Sequence, residues 1–287
     1  MDNQFKSMPS EDLRKLQLIQ LEMLLEVDRI CKKHKIQYCI IAGTLLGAVR
    51  HKGYIPWDDD ADVAMLRPEY ERFCKVCEEE LDDTRFYLQT HENTPGYRWG
   101  YGKIRRLGTE FIRKGQEHMT YPSGVFIDVF PLDHVPDNLF VRRIHNLACT
   151  MIRKMLWSAV GAKSDPKVGM RFVYRVVSLI PKDFVFSLYD LLKRISNRKT
   201  TELVRILTFP TPNNGYYGYY RTWYENLADI DFEGHLFPGP KDFDAYLTFK
   251  FGNYHELPPV EQRQGHPATR YKLLPIDEIK VEQIPNK

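Results

Sequence analysis

Four aspartates fall within five positions of Ile55-Pro56-Trp57-Asp58-Asp59-Asp60-Ala61-Asp62-Val63-Ala64-Met65, directly before an apolar run. In an extended strand, side chains two apart share a face, so Asp60 and Asp62 project together while Ala61, Val63 and Met65 face the other way. Two carboxylates at one point repel, and one takes up a proton unless a divalent cation sits between them. Hard oxygen donors select Mg²⁺, with Mn²⁺ as the alternative, and Mg²⁺ held by two carboxylates fills its open positions with phosphate oxygens. The expected chemistry is metal-assisted reaction at a phosphorylated substrate, with Asp60 and Asp62 as metal and catalytic residues. Asp58 and Asp59 belong to the turn after Ile55-Pro56-Trp57, where they orient or tune the pair.

The residues just upstream suit an anion. Gly43 closes a strand expected over 37–42, and Thr44 can cap a helix running to His51, so backbone N–H groups and a positive helix end face the substrate. The pattern G-x-x-x-x-G-K-[ST] is absent, which excludes a P-loop. An EF-hand would place Asp58, Asp60, Asp62 and Glu69 at positions 1, 3, 5 and 12, but Val63 stands where its turn glycine is required and Pro68 intrudes. A helix cap would account for one aspartate of the four, and a solvated acidic turn is the remaining bland reading.

The elements that must hold these groups are legible in outline. Residues 10–34 read as an amphipathic helix with Ser10 as cap and Leu13, Leu16, Leu21, Leu24, Val27 and Ile30 as its stripe. Residues 60–66 are extended, and Pro68 opens a helix through Leu81. Further strands are expected at 85–90, 98–106 and 124–130, giving strands and helices around one sheet. Residues 138–199 turn helical, with breaks at Pro166 and Pro181. After Thr208 the chain is rich in Pro, Gly and Tyr, as loops and short elements would be. The expected division is a catalytic core over 1–137, a basic helical region over 138–207, and a closing segment over 208–287 that completes the same domain.

A net charge of +3 conceals an asymmetry: residues 138–199 hold thirteen Lys/Arg against three Asp, or +10, which leaves −7 for the rest. Either these are solvated helix faces, or the surface meets something acidic such as phospholipid, a phosphorylated glycan or nucleic acid. The stretches FVYRVVSLI and FVFSLYDLLKRI are amphipathic, so peripheral membrane contact through 138–199 is expected. Five cysteines without framework spacing, including the Cys74–Cys77 C-x-x-C, read as free thiols of a reducing compartment. The polar N-terminus and the lack of any run near the roughly 18 apolar residues of a membrane span give a cytoplasmic expectation, with a place at the inner face of the membrane.

The run AGTLLGAVRHKGYIPWDDDADVAM resembles the signature of the LicD family, the bacterial phosphocholine transferases that share this block with fukutin-related sugar-phosphate transferases. The segment FPGPKDFDAYLTFKFGNYHELPPVEQRQGHPA resembles that family's closing block, so the resemblance spans nearly the whole chain. It implies an α+β, nucleotidyltransferase-like mixed sheet with flanking helices and a helical insertion. In that pattern Gly43-Thr44 supplies the turn and Asp60-Ala61-Asp62 the acidic strand, with Thr in place of the usual Ser and a slightly longer spacing. A third carboxylate from a later strand is implied: Asp128 in GVFIDVFPLD, with Asp133 as the fallback.

The implied reaction transfers phosphocholine, or a related alcohol phosphate, from CDP-choline or another CDP-alcohol to a hydroxyl of a glycan or lipid-linked glycan, such as lipopolysaccharide, teichoic acid or capsule. Asp128 would complete the metal shell or take the acceptor proton. Arg50 and His51, closing the first short helix, and Lys103 and Arg105, on one strand face, are candidate phosphate clamps. Arg263 and His266 are further candidates, and His134 and His145 read as structural. Trp223, within the aromatic cluster 216–224, is a candidate contact for the choline cation. The competing readings are a nucleotidyltransferase that moves a nucleoside monophosphate, and a noncatalytic glycan- or nucleic-acid-binding protein. A nucleic acid partner is not expected.

Overall fold

The computed structural model describes residues 8–212, 215–266 and 268–281. Helix α1 (Ser10–His34) begins one residue after Pro9, which takes the capping position expected of Ser10. Its apolar stripe is buried from Leu16 to Ile30, and so are the polar Gln17, Gln20, Glu22 and Glu26. Buried polar groups require partners, and those of α1 find them in the acidic loop and the sheet. Gln17 Nε2 donates to the carbonyl of Asp58 (3.0 Å), and Gln20 Nε2 to those of Asp59 (2.8 Å) and Phe126 (3.2 Å). Glu22 binds Arg85 and Arg106.

Strand β1 (Cys39–Ile40) is shorter than expected, and α2 (Ala42–His51) starts two residues before Thr44. The cause is Ala42, which adopts a left-handed φ of 51° and donates its N–H to the Tyr246 hydroxyl (3.3 Å), so the chain turns into the helix before it reaches Gly43. Next come β2 (Asp62–Leu66), α3 (Arg67–Glu80) with Pro68 in its first turn, β3 (Phe86–Gln89), β4 (Gly102–Arg106), β5 (Glu110–Arg113) and the long β6 (Phe126–Val135). The basic region forms α4 (Leu139–Ser164), α5 (Val168–Val177) and α6 (Lys182–Ser196), interrupted at Pro166 and Pro181. The remainder is β7 (Leu203–Arg205), β8 (Tyr219–Tyr220), α7 (Thr222–Glu225), β9 (Leu227–Phe232), β10 (His235–Pro240), α8 (Phe243–Phe251) and β11 (Ala268–Lys272).

The main sheet runs β1-β2-β6-β4-β3, with β2 and β6 parallel and its other pairs antiparallel. Strand β6 pairs with β4 through residues 126–129 and with β7 through 133–135, and β8 follows β7. Pro131, which has no N–H to give, falls between those two pairings. The α+β class with a mixed sheet and flanking helices is thus as expected, and it is consistent with a nucleotidyltransferase-like fold. The C-terminal part holds more regular structure than a loop-rich reading foresees: β9 and β10 form a hairpin, and β11 pairs with β5.

One core packs α1 and α3 against the sheet, while α4 and α6 close a second one around Cys149, Leu156, Phe186 and Tyr189. All five cysteines are free, and burial pushes their thiols up, as inert packing groups behave. Among the described residues, no helix is long and apolar enough to cross a membrane.

Candidate active site

Asp62 opens β2, and its N–H donates to Thr44 Oγ1 (2.8 Å), which ties the strand to the first turn of α2. Across the parallel pair Asp62 is in register with Asp128 of β6, and Asp128 is in turn in register with Lys103 of β4. Topology therefore sets two carboxylates and an ammonium side by side on three adjacent strands, and Lys103 Nζ forms an ion pair with Asp128. Asp60 stands just before β2, where Arg113 Nη2 of β5 reaches its Oδ2 at 3.0 Å. Asp59 is buried, with its carboxylate on His266: Oδ1 meets Nδ1 at 2.8 Å and Oδ2 accepts the backbone N–H at 2.9 Å. Asp58 lies against the start of α2, so close that a Cβ on Gly43 would meet its Oδ2 at 2.7 Å. Only glycine leaves that space.

The charges do not balance. Burial opposes the ionised form of Asp60, but Arg113 and His266 outweigh it and hold the carboxyl below its ordinary value. For Asp62, burial and the facing Asp60, Asp128 and Asp58 all act in one direction, so its carboxyl is pushed well above the usual range. Asp58 is raised in the same way, by burial and then by Asp60 and Asp59. Burial draws Lys103 down to about 7 although Asp128 works against it. The nearby cations do not cancel the negative charge that Asp62 and Asp58 would carry when ionised, so both hold their protons more tightly than ordinary carboxyls, and a hard divalent cation fits this oxygen set. The tightest trio of donor atoms is Asp59, Asp60 and His266, all within 4.8 Å. Two of its members are already spent on each other, and Asp60, Asp62 and Asp128 are less tightly grouped than this trio among the described residues.

Of the residues singled out in the sequence, Gly43, Thr44, Asp60, Asp62, Lys103, Asp128 and His266 come together here. Arg50 and His51 do not: they sit at the far end of α2, where Arg50 Nη1 donates to the carbonyl of Tyr254 (2.9 Å) and Nε to His51 Nε2 (3.0 Å). Arg105 shares the face of Lys103 but donates to Gln89 Oε1 (2.8 Å) and the Gly124 carbonyl (2.7 Å), which makes it a brace within the sheet. Trp223 is buried edge-on among Tyr220, Tyr246 and Phe249, so it packs the core and offers no face to a cation. Asp133 is fully buried in a two-point pair with Arg67 (2.7 and 2.6 Å) and with Asn197 (2.6 Å), which explains that strand-end carboxylate structurally. His145 bonds Ser196 and His134 bonds Thr201, both as structural groups.

Sequence reasoning missed Arg113 and the wall beyond it. A cavity of about 470 Å³ opens beside the site, lined by Lys103 and Arg113 on the sheet side and by Arg153, Lys154 and Trp157 of α4 opposite. Arg98 and Trp99 also face it, and among the described residues no carboxylate lines it. The basic helical region therefore forms one side of the cavity, and its charge there favours an anion. Periodicity could locate α4 but not which of its cations turn inward.

Residues 35–143 match the family described as LicD/FKTN/FKRP, nucleotidyltransferase domain. A Haemophilus influenzae protein named lipopolysaccharide cholinephosphotransferase LicD is 29% identical over 269 residues, which cover 88% of this chain and 95% of that protein. Shorter matches join it to uncharacterised proteins of Rickettsia typhi, 37% identical over 75 residues, and Rickettsia prowazekii, 40% identical over 68. These cover 26% and 24% of this chain, and 24% and 25% of those proteins, respectively. The matched domain encloses every residue of the carboxylate cluster on the sheet, from Gly43 to Asp128, and the likeness to the Haemophilus relative extends over most of the chain.

Proposed function

We propose that the protein is a phosphotransferase that moves phosphocholine, or a related alcohol phosphate, from a CDP-activated donor to a hydroxyl of a cell-surface glycan such as lipopolysaccharide. The observation that carries the reading is the placement of Asp128 and Asp60 on Lys103 and Arg113, with Asp62 in register beside Asp128, next to a cationic cavity that those two cations line and that no carboxylate lines among the described residues. Its support outside the structure is the Haemophilus relative named for cholinephosphate transfer.

Asp60 and Asp62, with Asp128, would hold Mg²⁺ or Mn²⁺, which when bound neutralises charge on the diphosphate. Thr44 fixes the backbone of Asp62, and α1 fixes the loop through Gln17 and Gln20, so the carboxylates keep their positions as the substrate enters. Lys103 and Arg113 present cations where negative charge gathers on the leaving CMP, and Arg153 and Lys154 extend that attraction across the cavity. Five cationic side chains around one cavity repel a quaternary ammonium. The nucleotide half of the donor therefore occupies the cavity, with Trp99 and Trp157 as stacking surfaces, and the alcohol half points away from it.

The test incubates the purified chain with CDP-choline, CDP-ribitol or CTP, with Mg²⁺ and glycan acceptors, and follows products by mass. CMP release with a choline-phosphorylated acceptor supports the proposal. Pyrophosphate release from CTP would replace it with nucleotidyl transfer, and absence of turnover with any donor would favour a binding protein.

A further inference from the structure

Helices α4, α5 and α6 pack on one another and on the sheet, yet each leaves an apolar stripe uncovered. On α4 the stripe is Phe140, Ile144, Leu147 and Met151, spaced by four, three and four residues, each more than half exposed. On α5 it is Val168, Phe172 and Val176, continued by Leu179 in the turn that follows, again each more than half exposed. A helix normally turns such a stripe toward the core. Here the buried side of α5 is Tyr174, which meets Trp157 of α4 edge-on, so the stripe is a second face.

The charges on these two helices are of one sign. Neither α4 nor α5 contains an Asp or Glu, and the exposed Arg143, Arg171 and Arg175 lie within a turn of the stripes, with Lys167 just before α5. A second copy of the chain would set these cations against their equals. A nucleic acid would answer the charge and leave the aliphatic side chains in water. An anionic bilayer satisfies both, with phosphates for the cations and acyl chains for the stripes.

We propose that the outer faces of α4 and α5 form a docking surface for anionic phospholipid membranes, with Phe140, Leu147, Phe172 and Val176 entering the interface and Arg143, Arg171 and Arg175 on the headgroups. This surface does not depend on the reaction proposed above. It also lies apart from the cavity, to which α4 contributes a different set of side chains, including Arg153 and Trp157.

The experiment is co-sedimentation of the full chain with vesicles of phosphatidylcholine alone and with about 30 mol% phosphatidylglycerol. Binding is expected to the anionic vesicles, and it should fall sharply in about 1 M salt, where screening shortens the reach of charge to about 3 Å. The pair R171E and R175E should weaken binding by at least about 25-fold, from about fivefold per lost cation near the surface. The pair F172S and V176S should weaken it by about tenfold or more through lost apolar insertion. All four positions are exposed, so unchanged far-UV circular dichroism is expected and shows that the variants are folded. Equal binding to neutral vesicles, or none to either, overturns the proposal. So does a dimer by light scattering that F172S and V176S convert to monomer, or salt-sensitive binding of DNA or RNA lost in R171E and R175E with no vesicle binding.

Discussion

Replacing Asp62 by Asn should stabilise the metal-free protein while removing the function of its site. Asp62 and Asp128 are register neighbours on parallel strands, a spacing of about 5 Å. Were both ionised, two unit charges at about 5 Å would repel by about 3 kcal/mol at an effective dielectric constant near 20, and a proton retained on Asp62 replaces that repulsion with the cost of holding it above the ordinary carboxylate pKa. Lys103 on Asp128 cancels part of this, so neutralising Asp62 should return about 1–2 kcal/mol, or about 2–6 °C in melting temperature for a chain of this size. The sign with pH follows from the raised carboxyl. The folded protein keeps a proton on Asp62 that the unfolded chain has released, so metal-free stability falls as the pH rises above the ordinary carboxylate value of 3.8. The advantage of Asp62→Asn is therefore largest near neutrality and fades as the pH approaches 3.8. Saturating Mg²⁺ should reverse the order, because binding at 100 times the Kd contributes about 2.7 kcal/mol to the wild type and less to a variant missing a ligand. Thermal melts of both proteins in EDTA and in Mg²⁺, at neutral and acidic pH, read out this crossover. A variant less stable than the wild type in EDTA, or equal Mg²⁺ shifts in both, would refute the reasoning.

Four other substitutions separate chemistry from architecture. Asp128→Asn should lower CMP release by about 100- to 1,000-fold with the fold intact, and wild-type turnover would remove Asp128 from the site. Asp133→Asn should instead cost about 3 kcal/mol by leaving Arg67 buried without its partner, seen in denaturant titrations, while the folded fraction turns over normally. Trp223→Ala should cost about 3–5 kcal/mol as a core truncation with an unchanged donor KM, whereas a raised KM would restore it as a substrate contact. Gly43→Ala drives a methyl group into Asp58, which it would meet at 2.7 Å, so turnover should fall further than stability; equal losses would mean that Asp58 has no part in the site.

The acidic strand was readable from Asp62 on because a period of two is a local property, but β2 begins only at Asp62, so the place of Asp60 before it is set by Arg113 and His266 and not by strand alternation. Lys103 and Asp128 were each picked from a strand, but their pairing depends on register, which no single segment encodes. Arg50 and His51 misled because they lie in the same short helix as Gly43 and Thr44. An α-helix rises about 1.5 Å per residue, so closeness in sequence placed them at its opposite end. Trp223 misled because an aromatic-rich stretch looks the same whether it cages a ligand or fills a core. Arg113 escaped notice because its strand, β5, is four residues long and pairs with β11 from the far end of the chain.

The charge asymmetry acquires a meaning only when the helices are placed. The −7 remainder includes the four carboxylates, while the +10 segment supplies the opposite wall of the cavity through Arg153 and Lys154 and an outward face through Arg171 and Arg175. These two sets stand on different sides of helices that are themselves held by Trp157 against Tyr174 and by Arg98 on the carbonyl of Leu156 (2.9 Å). A change confined to the outer face leaves the cavity wall in place, and a change at Arg153 or Lys154 leaves the apolar stripes in place. The two roles proposed for the helical region are therefore separable by substitution. Loss of vesicle binding without loss of turnover on a soluble acceptor is the combination that a single undivided basic patch could not produce.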